Sequence, residues 1–144
     1  MSNSQAIRVL VVDDSVDAAN GLVAVLSLAD YEARAAYDGF NAVKAAISFQ
    51  PHLVLLDIEM PGMDGYATAH EIRRRASRDS LVLIAYTANS DSQSVAAAAR
   101  AGFDLHIGKP CEVPQLLGLL ERAVMKLKQK IAAGLVRSHR YANG

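Results

Sequence analysis

With a single cysteine, Cys111, among its 144 residues, the chain cannot close an internal disulfide. It also has no surplus of charge. Fifteen Lys and Arg are matched by 15 Asp and Glu, for a formal net charge of zero, which removes any general electrostatic drive toward nucleic acid or acidic lipid. Long apolar runs are missing too: stretches such as LVLIAY have the length of a strand and fall far short of the roughly 20 residues that a membrane-spanning helix needs. The opening MSNSQA lacks the basic-then-apolar pattern of a signal peptide. Together these absences lead to the expectation of a reducing, cytoplasmic location, with neither membrane nor nucleic acid as partner. No internal repeat or linker stands out, and a chain of this size is expected to bury one core without metal or disulfide support.

What is present alternates regularly. Apolar runs at 7–12, 53–56 and 81–86 contain β-branched residues and no sustained polar alternation, as strands covered on both faces do. Two weaker runs, at 31–36 and 103–107, bring the number of predicted strands to five. Helical segments are predicted over 16–29, 41–49, 66–75, 91–101 and about 113–131. Repeated β-then-α order with crossovers of this length predicts a parallel sheet between helices. In the last helix Leu116, Leu120, Val124, Leu127 and Ile131 share a stripe expected to face the sheet, and Leu117 and Leu119 widen it toward a possible partner or dimer surface. Turn residues agree: Pro61, Gly62 and Gly65 follow the third strand, Gly39 opens the second helix, and Gly102 and Asp30 close helices in the left-handed region.

In an open parallel sheet, ligands bind beyond the carboxyl ends of the strands. Asp13 and Asp14 end the first strand, Asp57 the third, Thr87 and Ala88 the fourth, and Lys109 and Pro110 follow the fifth. Each has a bland alternative as a helix cap, a turn or solvated surface. Their convergence on one rim favours a site. Carboxylates about 4 Å apart repel by about 4 kcal/mol at the effective dielectric near a protein surface, so the cluster calls for a cation. Oxygen ligands without His or Cys select a hard ion, and few carboxylates with open water positions suit Mg²⁺. A carboxylate nucleophile at Asp57, beside a lysine, a hydroxyl and a metal, is an arrangement for phosphoryl transfer. No Walker loop or kinase signature accompanies it, so the donor is expected to be another molecule.

These motifs resemble the receiver domain of bacterial two-component response regulators: VLVVDDS at 9–15, LVLLDIEMPGMDG at 53–65, TA at 87–88 and GKP at 108–110, separated by 43, 30 and 22 residues from Asp14 to Asp57 to Thr87 to Lys109. The resemblance implies a flavodoxin-like (βα)5 fold, doubly wound, with a five-stranded parallel sheet in the order 2-1-3-4-5. It spans about 6–131, with 132–144 as a short C-terminal tail, and suggests a stand-alone receiver.

The same resemblance implies that Asp57 accepts a phosphoryl group from a sensor histidine kinase or histidine phosphotransfer protein. Asp13, Asp14, Asp57 and the main-chain carbonyl of Glu59 would hold Mg²⁺. Thr87, Ala88 and Lys109 would bind the phosphoryl oxygens, and the Lys109-Pro110 peptide would be cis. Thr87 would carry the change to a switch position, here His106 in place of the usual Tyr or Phe. The fourth helix, fifth strand and fifth helix would then report it to a downstream target, the protein itself being a monomer or weak homodimer and not an enzyme beyond its own phosphorylation and dephosphorylation. Glu59, two residues after the acceptor, is expected to influence the lifetime of the phosphoryl group. The competing readings are an Asp-nucleophile phosphatase or phosphotransferase with Glu59 as its second acid, and a phosphorylation-independent interaction module.

Overall fold

The computed structural model describes residues 6–60, 62, 64–76, 81–88 and 91–142, with side chains described through 135. Pro61 therefore lies outside the described residues. Five strands, β1 (Arg8–Val12), β2 (Glu32–Ala36), β3 (Leu53–Asp57), β4 (Val82–Thr87) and β5 (Leu105–Gly108), alternate with α1 (Val16–Leu28), α2 (Gly39–Ser48), α3 (Gly65–Ala76), α4 (Ser92–Arg100) and α5 (Val113–Ala142). All strand pairings are parallel, in the order β2-β1-β3-β4-β5. The chain thus has the flavodoxin-like (βα)5 topology that the sequence implied.

The two-residue period of the strands divides the core. Leu10, Val12, Val54, Leu56, Leu83 and Ala85 face α2, α3 and α4, while Val9, Val11, Leu53, Leu55, Val82 and Ile84 face α1 and α5. Fully burying each Val, Leu or Ile contributes about 1.5–3 kcal/mol. That is why β1, β3 and β4 read as unbroken apolar runs. The outer strand β2, EARAA, is only half covered, and its sequence signal is correspondingly weak.

Helix α5 departs from expectation in two ways. Its buried face consists of Leu116, Leu119, Leu120, Ala123 and Leu127, whereas Ile131 is 44% exposed. Leu119 therefore belongs to the core, not to a partner surface. The helix also continues to Ala142. Its 30 residues run about 45 Å, but strands of four to six residues span only about 20 Å, so the last turns outrun the sheet. Arg137, His139 and Arg140 fall among residues whose side chains are not described.

Capping fixes the starts of helices on the rim, and left-handed residues close helices at the opposite edge of the sheet. Ser15, Asp38 and Asp91 cap α1, α2 and α4 by accepting from Ala18, Asn41 and Ser94 backbone N–H groups. Asp30 and Gly102 take the left-handed backbone, with φ of 71° and 102°. Gly65 has a different reason to be glycine: a Cβ there would collide with the Ile58 backbone and stand 2.9 Å from the Asp57 carbonyl oxygen. The start of α3 thus lies hard against the end of β3.

Candidate functional site

Helix α1 takes its cap from Ser15, which leaves the acidic pair before it for other work. The Ser15 backbone N–H donates to Asp13 Oδ1 at 3.0 Å, fixing that side chain over the sheet. Asp13 and Asp57 are each only 3% exposed, and Asp14 stands at the surface beside them. Oxygens from these three carboxylates lie within 4.8 Å of one another. Three negative charges so close repel strongly.

Lys109 answers part of that repulsion. Its Nζ lies 3.1 Å from Asp57 Oδ2 and 3.7 Å from Asp13 Oδ2, and 4.9 Å from the centre of the Tyr86 ring, a cation–π distance. The Lys109-Pro110 peptide is cis, and the Lys109 N–H donates to the Thr87 carbonyl at 2.8 Å. Burial works against the ammonium, but its hydrogen bond to Asp57 and the charges of Asp57 and Asp13 outweigh that and raise its pKa. Asp57 shows the reverse balance. Burial and the charge of Asp13 lift its carboxyl above the ordinary value, although Lys109 and the Glu59 N–H, 3.1 Å from Oδ1, pull the other way.

One lysine against three carboxylates leaves a net negative pocket of oxygen ligands without His or Cys, which suits a hard divalent ion. The ligand oxygens lie within 4.8 Å of one another, close enough to be drawn onto one shared ion. Asp13, Asp14 and Asp57 are the residues that could hold it.

Across the rim, β4 ends at Thr87, which is 2% exposed. Its hydroxyl donates to Glu59 Oε1, and the Ala88 N–H donates to the same oxygen at 3.1 Å. The Glu59 side chain therefore turns toward β4 and is engaged there, a poor position for the leaving-group acid of a hydrolase. No motif or spacing along the chain points to this contact.

A model of the response regulator receiver domain matches residues 9–121. The chain belongs to the response regulator receiver family. It is 30% identical over 128 residues to the response regulator MprA of Mycobacterium bovis, covering 89% of this chain and 55% of that protein. Against the DNA-binding dual master transcriptional regulator RpaA of a Synechocystis strain it is 29% identical over 125 residues, covering 86% and 51%. The chain thus spans about half the length of these curated relatives. Among solved structures, NtrX from Brucella abortus superposes with a TM-score of 0.83 at 31% identity, over 92% of this chain and 30% of that one. The chemotaxis protein CheY4 of Vibrio cholerae, at 24% identity and a TM-score of 0.78 over 82% and 98% of the two chains, shares the fold.

In this receiver the remaining candidate, His106, sits half-buried on β5 opposite Ala85. Its Nε2 is buried with no hydrogen-bond partner among the described residues, and it borders a groove of about 240 Å³ with Val95, Ala98 and Phe103. Away from the rim, the receiver also holds an ionic cluster that sequence reading missed. Asp104 accepts from Arg73 at 2.7 Å and from Lys130 at 2.8 Å, and also from the Leu83 N–H at 2.9 Å. This ties α3, α5 and the start of β4 together. Among the described residues no helix is long and apolar enough to cross a membrane.

Proposed function

We propose that this receiver accepts a phosphoryl group on Asp57 from a phosphohistidine of a sensor kinase or phosphotransfer protein. The supporting observation is that the buried Asp57 carboxylate lies 3.1 Å from Lys109 and shares a 4.8 Å cluster with Asp13 and Asp14. An Asp57 oxygen attacks phosphorus, the bond from phosphorus to the donor imidazole nitrogen breaks, and a mixed anhydride forms on Asp57. Asp13, Asp14, Asp57 and the Glu59 carbonyl are the groups we assign to Mg²⁺. When bound, Mg²⁺ neutralises charge on the phosphoryl oxygens. Lys109 does so from the other side, while the Thr87 hydroxyl and Ala88 amide receive an oxygen of the transferred group. A cleft of about 440 Å³ between α1 and the site, bordered by Asp13, Ala18, Leu22, Tyr86 and Lys109, offers room for the donor side chain.

The phosphoryl group brings about −1.5 to −2 of charge and three acceptor oxygens. In our reading this draws on Thr87 and, through the β4–β5 pairing of Ala85 with His106, resets the α4-β5-α5 surface read by a target protein. His106 is the switch residue in this account, and 6–131 is the working domain in a cytoplasmic setting. Incubation with Mg²⁺ and a small-molecule phosphodonor should add one phosphoryl group by intact mass. Chelator or Asp57→Asn should abolish the gain, and a gain that survives Asp57→Asn would refute the assignment.

A further inference from the structure

The two donors assigned above to the phosphoryl group already have an anionic partner. The backbone N–H of Glu59 donates to Asp57 Oδ1 at 3.1 Å, which anchors the chain just after β3 and lets the Glu59 side chain cross to the end of β4. There one oxygen, Oε1, accepts the Thr87 hydroxyl and the Ala88 amide, the latter at 3.1 Å. A carboxylate oxygen and a phosphoryl oxygen present the same chemistry to such donors: both are anionic and accept without donating. A hydroxyl or amide with one proton cannot serve both at full strength. Nothing in packing requires this placement, because Glu59 is itself exposed and joins a rim that already holds Asp13, Asp14 and Asp57. Its charge repels theirs, so the hydrogen bonds to Thr87 and Ala88 are what keep it there.

We infer that Glu59 is an internal occupant of the phosphoryl-oxygen position, holding the Thr87 hydroxyl and Ala88 amide until a group on Asp57 displaces it. The inference rests on the phosphoacceptor reading. Glu59 then competes with the incoming group, and Thr87 has an anionic partner both before and after phosphorylation. The loading of Asp57 depends on how readily the glutamate swings out to solvent.

Trifluoroberyllate, the ligand named for the BeF3-activated DrrB receiver domain, tests this without a covalent step when added together with Mg²⁺. Its affinity is read by fluorine NMR in the wild type, Glu59→Gln, Glu59→Ala, Thr87→Ala and the Glu59→Ala/Thr87→Ala double variant. Glu59→Ala should tighten binding by about tenfold, the scale of one charge-assisted hydrogen bond, with Glu59→Gln between it and the wild type. Thr87→Ala should weaken binding far more in the Glu59→Ala background than in the wild type, because only there is the hydroxyl not already engaged by Glu59 in the free state. Simple charge repulsion predicts equal effects of Thr87→Ala in both backgrounds, and that result overturns the inference while leaving Asp57 as the acceptor. Unchanged or weaker binding in Glu59→Ala does the same. Failure of the wild type and every variant to bind overturns the phosphoacceptor reading and the inference with it.

Discussion

Lys109 holds its ammonium 3.1 Å from the Asp57 carboxylate. The contact joins the segment after β5 to the end of β3, and it sets one positive charge among the rim carboxylates. Replacing Lys109 with Ala should therefore slow phosphoryl uptake by on the order of 10²–10³, the usual loss when one electrostatic stabiliser is removed from a site. Circular dichroism should show the fold intact. Lys109→Arg should recover little, since a planar fork does not reproduce a compact point charge.

The raised pKa of Asp57 sets a pH dependence in chelator. A carboxyl whose folded pKa lies above the unfolded value favours the folded state below that unfolded value, 3.8, and loses this contribution as pH rises through the folded pKa. At neutral pH without metal, Asp57→Asn should therefore be more stable than the wild type, and the gain should vanish as pH falls below the carboxylate range. Mg²⁺ should reverse the order. At a hundred times its dissociation constant it stabilises the wild type by about 2.7 kcal/mol, and Asp57→Asn should lose most of that. Urea melts with and without Mg²⁺ at several pH values check both signs.

Gly65 tests whether the β3 end must sit tight against α3. A Cβ there would stand 2.9 Å from the Asp57 carbonyl oxygen, so Gly65→Ala should cost about 1–3 kcal/mol and depress phosphoryl uptake. Gly134 in α5 has nothing within 4 Å of a built Cβ. Gly134→Ala should be neutral or stabilising by about 0.4–1 kcal/mol, with uptake unchanged.

Asp104 separates stability from function. It binds Arg73 and Lys130 near the amino ends of β4 and β5, away from the acceptor rim. Asp104→Asn should lower stability by about 1.5–3 kcal/mol, the scale of a hydrogen bond to a charged group, and phosphoryl uptake by the folded protein should be unaffected. Denaturant melts and a parallel uptake assay decide it.

These residues also mark how far the sequence could be read. The sheet was legible because Val9–Val12, Leu53–Leu56 and Leu83–Ala85 are buried on both faces, which leaves an unbroken apolar signal. The convergence of Asp13, Asp57 and Lys109 was legible because parallel strands deliver their ends to one rim. Periodicity does not know where a sheet stops, so Ile131 was placed in the core although α5 has run past it. The engagement of Glu59 with Thr87 joins residues 28 positions apart through one rotamer, and the Arg73, Asp104 and Lys130 cluster meets only in three dimensions. Spacing along the chain carries neither.

The central claim is that the Asp57 side chain becomes an acyl phosphate, and the most direct measurement is to trap that bond and locate it. After incubation with Mg²⁺ and a small-molecule phosphodonor, borohydride reduction converts an aspartyl phosphate to homoserine, which peptide mass mapping can place. Homoserine at position 57 alone is the predicted result. Its absence there, or its appearance at position 13 or 14 instead, would contradict the account.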